Sequence, residues 1–300
     1  MIWKQVRKNS YQVAKTILDI SFNAHTGHIG SALSISDLVS VLYFSRLNIN
    51  KGDWGNKGNT GKNDLRDRFI LSKGHAAAAL YSALYHKGII SKRELESFGM
   101  NDGGLCEHPE IFTPGVEMTS GSLGHGLAFG AGIAWGLKLV KNLEIKVQSS
   151  EKKRTSLFKL NNRKPHVFVL ISDGECGEGS VWEAALFAGR MKLDNLTVIL
   201  DYNGWQCFGE METITHLQPL TAKWRAFGFT VREIDGHNLK QIYRVYREVP
   251  FESGKPSIII AKTVSGHGVK SIENKLEGHF KVFSEAEYLE ALRNIKYSYL

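Results

Sequence analysis

Two short apolar segments, each followed by a polar turn, most constrain how this 300-residue chain can fold. Residues 167–171 form an uninterrupted apolar run typical of a buried strand, and an acidic, glycine-rich turn containing Asp173 follows it. A segment with helical spacing, 181–190, leads to a second apolar run at 196–200, and the next turn contains Asn203. If the two strands are neighbours in a parallel sheet, Asp173 and Asn203 lie side by side at its carboxyl edge, where such sheets bind ligands.

The residue types in these turns suit a divalent cation that holds a phosphate group. Mg²⁺ prefers oxygen ligands from carboxylate or amide side chains and shares its other positions with phosphate and water. Gly174 allows the backbone to approach phosphate oxygens closely, and the following helix offers unpaired N–H groups at its N-terminus. On spacing alone, a nucleotide or another metal-bound anion fits equally well, and Asp-Gly is also common in ordinary turns.

A resemblance to a known family narrows these alternatives. The stretch 172–179 together with Asn203 is similar to the thiamine-diphosphate motif, and the Trp-Glu-Ala sequence at 182–184 resembles the transketolase form of that motif. Three further segments resemble the substrate loops of the transketolase family and occur in the family's order, at residues 26–31, 67–75 and 114–126. The chain therefore resembles the N-terminal, diphosphate-binding part of the transketolase family over most of its length.

Histidines are the catalytic candidates that this resemblance implies. His28 and His108 match substrate-facing histidines of the family, and His75 matches the one near the diphosphate and the donor sugar. His279, favoured here over His267, matches a histidine that approaches both the diphosphate and the substrate. An imidazole suits these roles because it exchanges protons with sugar hydroxyls near neutral pH.

The resemblance implies thiamine diphosphate as cofactor, together with Mg²⁺, for which Ca²⁺ or Mn²⁺ could substitute. The implied metal ligands are Asp173, Asn203 and the main-chain carbonyl of Trp205. Glu178, which we also count as a catalytic candidate, matches a glutamate at the family's dimer interface that is linked to the catalytic acid of the partner chain. The implied cofactor-binding residues are His75, Gly121, Leu123, Asp173, Gly174, Glu175, Glu178, Asn203 and His279.

The alternation of strands and helices predicts an α/β fold, a doubly wound parallel sheet with helices on both faces. Largely apolar runs predict strands at 69–71, 167–171, 196–200 and 257–261, and a further strand is expected at 230–234. Helical spacing predicts helices at 3–23, 36–47, 75–86, 122–140, 181–190, 239–248 and 284–295. We expect a single domain over residues 1–300, with polar insertion loops near 48–64 and 141–165.

Composition argues against several other classes of function. The formal charge is +8, but the basic residues concentrate in the polar segment 138–164, which favours a solvated loop or a surface for an anionic partner over nucleic-acid binding. No apolar stretch is long enough to span a membrane, and the N-terminus lacks the apolar core of a signal peptide. Three scattered cysteines do not form a disulfide framework, so we expect a cytoplasmic protein.

The resemblance also implies a partner. In the family, a second, pyrimidine-binding domain contributes the glutamate that activates the cofactor, and this chain resembles the diphosphate half only. We therefore expect the N-terminal subunit of a two-chain transketolase-like enzyme that is inactive without a pyrimidine-binding partner chain, in an α₂β₂ assembly. The expected reaction moves a two-carbon ketol unit from a ketose, often phosphorylated, to an aldose acceptor.

Three alternatives remain open at this point. Other thiamine-diphosphate enzymes, such as a pyruvate-using synthase or a 2-oxo acid dehydrogenase subunit, share the central motif. A non-catalytic cofactor-binding module is the second alternative, and polyanion binding by the basic surface is the third. The chain departs from the usual family pattern at Ile29, Glu107 and His125, so the resemblance does not identify the sugar.

Overall fold

Parallel pairing of five strands forms the sheet at the centre of the protein. The computed structural model describes residues 2–54, 66–101, 104–148 and 164–299. The strands in these ranges are β1 (Arg68–Leu71), β2 (Val167–Ser172), β3 (Leu196–Tyr202), β4 (Trp205–Gln206), β5 (Gly209–Glu210), β6 (Thr230–Asp235) and β7 (Ser257–Lys262). Five of them pair in the order β1-β2-β3-β7-β6, and the two shortest form an antiparallel ribbon, β4-β5.

Helices connect and cover these strands. They are α1 (Ile2–Asn23), α2 (Ile29–Ser34), α3 (Ser36–Ser45), α4 (Ala77–His86), α5 (Lys92–Glu96), α6 (His125–Gln148), α7 (Gly179–Arg190), α8 (Met211–Ile214), α9 (Leu220–Ala226), α10 (Leu239–Glu248) and α11 (Glu285–Tyr299). Short 3₁₀ turns lie at Lys51–Asp53, Gly74–Ala76, Gly174–Gly177 and Leu276–His279. Within the described part of the chain, no helix is both long enough and apolar enough to cross a membrane.

Side chains that alternate along the strands supply two hydrophobic cores. In β2, Phe168 and Leu170 pack in a core with α1, α3, α4, α10 and α11, whereas Val167, Val169 and Ile171 pack in a second core with α6, α7 and α9. Because successive side chains of a strand point to opposite faces, a strand covered on both faces has to be apolar throughout. The helices on both faces of a parallel sheet confirm the predicted α/β fold class.

The predicted elements are present, with small shifts of their ends. All five predicted strands occur in the sheet, each longer by one or two residues, and α10 has the predicted bounds. The helix predicted at 75–86 is a 3₁₀ turn followed by α4. The sequence did not predict the short helices α2, α5, α8 and α9. Helices of this length contain too few turns to establish a hydrophobic period.

The polar loop predicted at 141–165 begins later than expected, because α6 continues to Gln148. Residues 141–148 include Lys, Leu, Glu and Gln, which are good helix formers, and no glycine or proline ends the helix there. Residues 149–163 lie outside the described part of the structure, as do residues 55–65 of the loop predicted at 48–64.

Two helical glycines offer a matched test of this packing. A Cβ added at Gly189 in α7 would lie 1.9 Å from the carbonyl oxygen of Phe227, whereas one added at Gly132 in α6 would meet no described atom within 4 Å. We expect Gly189→Ala to destabilise the chain by about 1–3 kcal/mol through overpacking. Gly132→Ala should instead stabilise it by about 0.5–1 kcal/mol, because alanine favours helix. Urea unfolding of the purified variants measures the free energy of unfolding of each. A change in the same direction for both variants would contradict this packing.

Candidate functional site

The turns after β2 and β3 bring Asp173 and Asn203 to the same edge of the sheet. The two strands pair in parallel along their length, so the residues that follow them leave the sheet side by side. The Asp173 carboxylate accepts hydrogen bonds from the backbone N–H groups of Gly174, at 2.8 Å, and Gly204, at 2.7 Å. The structure thus places these two residues together, as the sequence pattern predicted.

A fully buried ion pair lies next to Asn203. The Nζ atom of Lys73 is 2.6 Å from Oδ2 of Asp201, and neither side chain is exposed to solvent. The other carboxylate oxygen, Oδ1, accepts hydrogen bonds from the hydroxyls of Ser34, at 2.6 Å, and Thr263. Asn203 Nδ2 donates to Oδ2 at 2.8 Å. These four donors compensate Asp201 for its loss of hydration.

Buried carboxyl groups outnumber the buried cation at this edge. Asp173, Glu175 and Asp201 have no exposed surface, and Lys73 is the buried cation that interacts electrostatically with Asp173 and Glu175. Burial and the charge of Asp201 raise the pKa of Asp173 to about 7, despite hydrogen bonds from two backbone N–H groups. A divalent cation beside Asp173 would supply the positive charge that is lacking. Together with the amide oxygen of Asn203, this donor set therefore fits a hard metal ion.

Glu175 supports the loop that precedes α6. Its Oε1 accepts hydrogen bonds from the backbone N–H of Gly124, at 2.8 Å, and from the hydroxyl of Ser72. The same hydroxyl oxygen accepts a hydrogen bond from the N–H of Gly126 at 3.0 Å. Burial raises the pKa of Glu175, and the hydrogen bond from Ser72 opposes this effect. These contacts show how Glu175 holds the loop, whereas its contact with cofactor stays a prediction.

Four histidines from separate loops form one cluster. The ring centroid of His28 lies 5.5 Å from that of His75, 6.2 Å from that of His108 and 5.1 Å from that of His279. The rings of His75 and His279 are 5.6 Å apart. His28 has a left-handed backbone, with φ of 61°, and its N–H donates to the carbonyl of His279 at 2.8 Å. The structure thus brings together the four histidines that the sequence identified as catalytic candidates.

The environment of this cluster lowers the pKa of three of its imidazoles and so favours their neutral form. Burial lowers the pKa of His28, and His108 lowers it further. Burial and the nearby charge of Lys73 place the pKa of His75 well below its ordinary value. For His279, burial and then His28 lower the pKa to about 4. Neutral imidazoles can both donate and accept hydrogen bonds, which suits contact with hydroxyl groups.

The remaining predicted residues border these two groups. A Cβ at Gly121 would lie 3.2 Å from the His108 ring, so glycine allows the loop to pass closely there. Leu123 is half-buried, and Glu178 is exposed at the N-cap of α7. The backbone N–H of Trp205 donates to Oδ1 of Asn203 at 2.9 Å.

His267 lies outside the histidine cluster, in a second polar group with Asp37 and His237. Its ring stacks on that of His237 at 3.5 Å, with 12° between the planes. Val264 N–H donates to His237 Nε2 at 2.9 Å, so His237 Nδ1 carries the proton and donates to Asp37 Oδ2 at 3.1 Å. Both nitrogens of His237 are therefore engaged, and stacked rings do not direct their lone pairs at one point. The group joins three segments of the chain and does not form a metal site in this geometry.

Sequence reasoning missed the network around Asp201. Neither Lys73 nor Asp201 was a candidate, although each is a charged residue at or just past the end of an apolar strand. Charged residues in such positions are seldom fully buried unless they are paired. The hydroxyl partners Ser34 and Thr263 come from distant segments, and no sequence signal connects them with Asp201.

Comparison with known sequences identifies relatives along almost the whole chain. The family model described as "Transketolase, thiamine diphosphate binding domain" matches residues 9–298. An apulose-4-phosphate transketolase subunit of Phocaeicola vulgatus is 35% identical over 281 residues, which cover 94% of this chain and 90% of that protein. The 6-deoxy-6-sulfo-D-fructose transketolase subunit SqwG of Clostridium sp. is 35% identical over 271 residues, which cover 90% and 88%. Human transketolase is 31% identical over 261 residues, but the match covers only 37% of its length.

Solved structures agree with the sequence comparison. The transketolase of Campylobacter jejuni has a TM-score of 0.82 and 29% sequence identity, and the match covers 97% of this chain and 43% of that one. The transketolase of Leishmania mexicana also has a TM-score of 0.82, with 26% identity and coverage of 98% and 41%. The chain therefore belongs to the transketolase family and corresponds to its thiamine diphosphate binding domain.

Proposed function

We propose that this chain is the diphosphate-binding subunit of a two-chain transketolase and that a second polypeptide supplies the pyrimidine-binding half. The juxtaposition of the carboxylate edge at Asp173 with the four-histidine cluster carries this proposal, because Lys73 interacts electrostatically with both. The relatives named as transketolase subunits support it. They do not favour a pyruvate-using synthase, a 2-oxo acid dehydrogenase subunit or a non-catalytic module.

The residues at the sheet edge have assigned roles in this proposal. Asp173 and Asn203 provide side-chain oxygens to Mg²⁺, or to Ca²⁺ or Mn²⁺, and the carbonyl of Trp205 provides a third protein ligand. Gly174 allows the backbone to come close to the diphosphate. When bound, thiamine diphosphate supplies the electron sink that stabilises an acyl carbanion. The chain itself holds the diphosphate and orients the cofactor towards the histidines.

In this proposal the histidine cluster binds the sugars, accepts a proton from the donor hydroxyl next to the C–C bond that breaks and delivers a proton to the carbonyl oxygen of the acceptor aldose. His28 and His108 face the substrate, and His75 and His279 lie between the substrate and the diphosphate. Because burial keeps three of these rings neutral, they can accept a proton from a hydroxyl and return it. Glu178 is exposed at the start of α7, where a partner chain can reach it.

The substrate class follows from the chemistry that the relatives share. One is named for apulose 4-phosphate and another for 6-deoxy-6-sulfo-D-fructose, so both names describe a sugar with an anionic phosphate or sulfo group. We infer that this chain's enzyme transfers a two-carbon ketol unit from a ketose with an anionic group to an aldose acceptor.

The assembly that we infer contains two copies of each subunit. Phe129 on α6 and Leu186 and Phe187 on α7 are 40%, 62% and 40% exposed. The two helices pack against each other, so these side chains belong to one side of the molecule. Exposed apolar side chains grouped in this way are typical of a surface that binds another subunit.

The donor distinguishes the proposed function from its alternatives. The partner subunit is first recovered by mass spectrometry of proteins that co-purify with this chain in buffer with thiamine diphosphate and Mg²⁺. We expect the complex to transfer a ketol unit from a ketose phosphate or sulfonate to an aldose and to be inactive with pyruvate. Turnover with pyruvate, or recovery of the chain without a partner, would contradict the proposal.

Replacement of Asp173 tests the metal site. Asp173→Ala removes an ionised oxygen ligand, so we expect turnover of the two-subunit complex to fall by at least roughly 100-fold, more than the loss of an outer-shell group usually causes. Glu248→Ala, at an exposed position at the end of α10, is the matched control and should leave turnover unchanged. Equal turnover of the two variants would show that Asp173 does not bind the metal.

The histidine cluster gives a prediction about pH. His279 has a folded-state pKa of about 4 against an ordinary value of 6.5, so the unfolded chain binds its proton first. Protonation of His279 therefore favours the unfolded chain. The free energy of unfolding is unaffected by this group above pH 6.5 and decreases as the pH falls from 6.5 towards 4. NMR titration of the imidazole should show a neutral ring at about pH 5.5, and His28→Gln should raise the midpoint. A midpoint at or above the ordinary value would contradict this geometry.

A further inference from the structure

Asp201 is a fully buried and fully paired charge beside the proposed metal site, yet no step of the proposed chemistry uses it. It has no exposed surface and lies two residues before Asn203, near the end of β3. Lys73 and Asn203 donate to its Oδ2, at 2.6 Å and 2.8 Å, and the hydroxyls of Ser34 and Thr263 donate to its Oδ1. Because such a network is expensive to bury, a structural or functional role for it is expected.

The two ends of the Asn203 amide indicate what this role is. Only the carbonyl oxygen of an asparagine can bind a hard cation, and its NH₂ group can only donate hydrogen bonds. Nδ2 donates to Asp201 and, at 3.3 Å, to the hydroxyl of Ser34. Oδ1 lies on the opposite side, where it accepts the N–H of Trp205 at 2.9 Å. Asp201 accepts a hydrogen bond at one end of the amide, and the N–H of Trp205 donates one at the other end. Both contacts require the same orientation of the Asn203 amide.

The reversed amide would be unfavourable at both ends. Its oxygen would face Oδ2 of Asp201, which already accepts from Lys73 at 2.6 Å, and its NH₂ group would face the N–H of Trp205. Lys73, Ser34 and Thr263 direct their donor groups at the two oxygens of Asp201, so Asp201 serves as an acceptor towards all of them. Asp201 therefore acts on the proposed metal site through the orientation of one side chain.

We propose that Asp201 is a positioning residue that fixes Asn203 with its carbonyl oxygen towards the cation. This inference rests on the proposed function, since it assumes that Asn203 binds the metal. It assigns Asp201 no contact with substrate, cofactor or metal.

The test compares two uncharged replacements of Asp201. Both are made in a Lys73→Met background, so that no unpaired ammonium remains buried. Asp201→Asn retains an oxygen that can accept from Asn203, and its own NH₂ group can donate to the hydroxyls of Ser34 and Thr263. Asp201→Leu has a similar shape and cannot accept. The pair therefore differs in the hydrogen bond that orients the amide.

The measurement is Mn²⁺ affinity, not turnover. Free Mn²⁺ is counted by electron paramagnetic resonance in the two-subunit complex with thiamine diphosphate, and thermal unfolding monitors the fold of each variant. We expect Lys73→Met/Asp201→Leu to bind Mn²⁺ roughly 10–100-fold more weakly than Lys73→Met/Asp201→Asn, the range typical of a lost outer-shell partner. Because both variants lack the Lys73–Asp201 ion pair, the comparison between them isolates the hydrogen bond to Asn203.

The outcomes separate the two proposals. Equal Mn²⁺ affinity of the leucine and asparagine variants overturns the positioning role alone. An unmodified complex that does not bind Mn²⁺, or binds it as well after Asp173→Ala, overturns the proposed function and this inference with it. If the leucine variant does not fold, a crystal structure of the unmodified complex with Mn²⁺ decides. The inference requires Asn203 Oδ1 on the metal and Nδ2 on Asp201, and any other arrangement contradicts it.

Discussion

The parallel pairing of β2 with β3 is the constraint on which the rest of the site depends. It places the turns that contain Asp173 and Asn203 next to each other, although 29 residues separate them in the chain. Both strands are apolar and covered on both faces, so a shift in their register would expose or misalign a core on each side. Hydrophobic packing thus sets the relative position of the two turns that form the proposed metal site.

The sequence predicted those parts of the protein that depend on local patterns. Continuous apolar runs identified β2 and β3, and the strand–turn–helix order located Asp173 and Asn203 before any contact was known. The four histidines were identified through resemblance to a family, and the structure shows them within one cluster. Spacing alone would not have grouped them, because His28 and His279 come from opposite ends of the chain.

The sequence could not predict contacts that depend on the complete fold. Asp201 can be fully buried because Ser34, Lys73 and Thr263, from three distant segments, donate hydrogen bonds to it. A charged residue after an apolar run is more often exposed to solvent, so the sequence alone favoured an exposed Asp201. Glu175 is a similar case, because its support of Gly124 becomes evident only once β2 and the start of α6 lie together.

The position of Lys73 links the proposed metal edge to the histidine cluster, because Lys73 interacts electrostatically with both. Its charge stabilises the buried carboxylates and at the same time lowers the pKa of His75 and His279. Any further positive charge placed at Asp173 acts on the histidines in the same direction, because Coulomb interactions extend well beyond contact distance inside a protein. The negative charge of a diphosphate bound beside that cation would act in the opposite direction, so the bound metal and diphosphate largely offset each other. Lys73 is thus the charge of the chain itself that links the two groups.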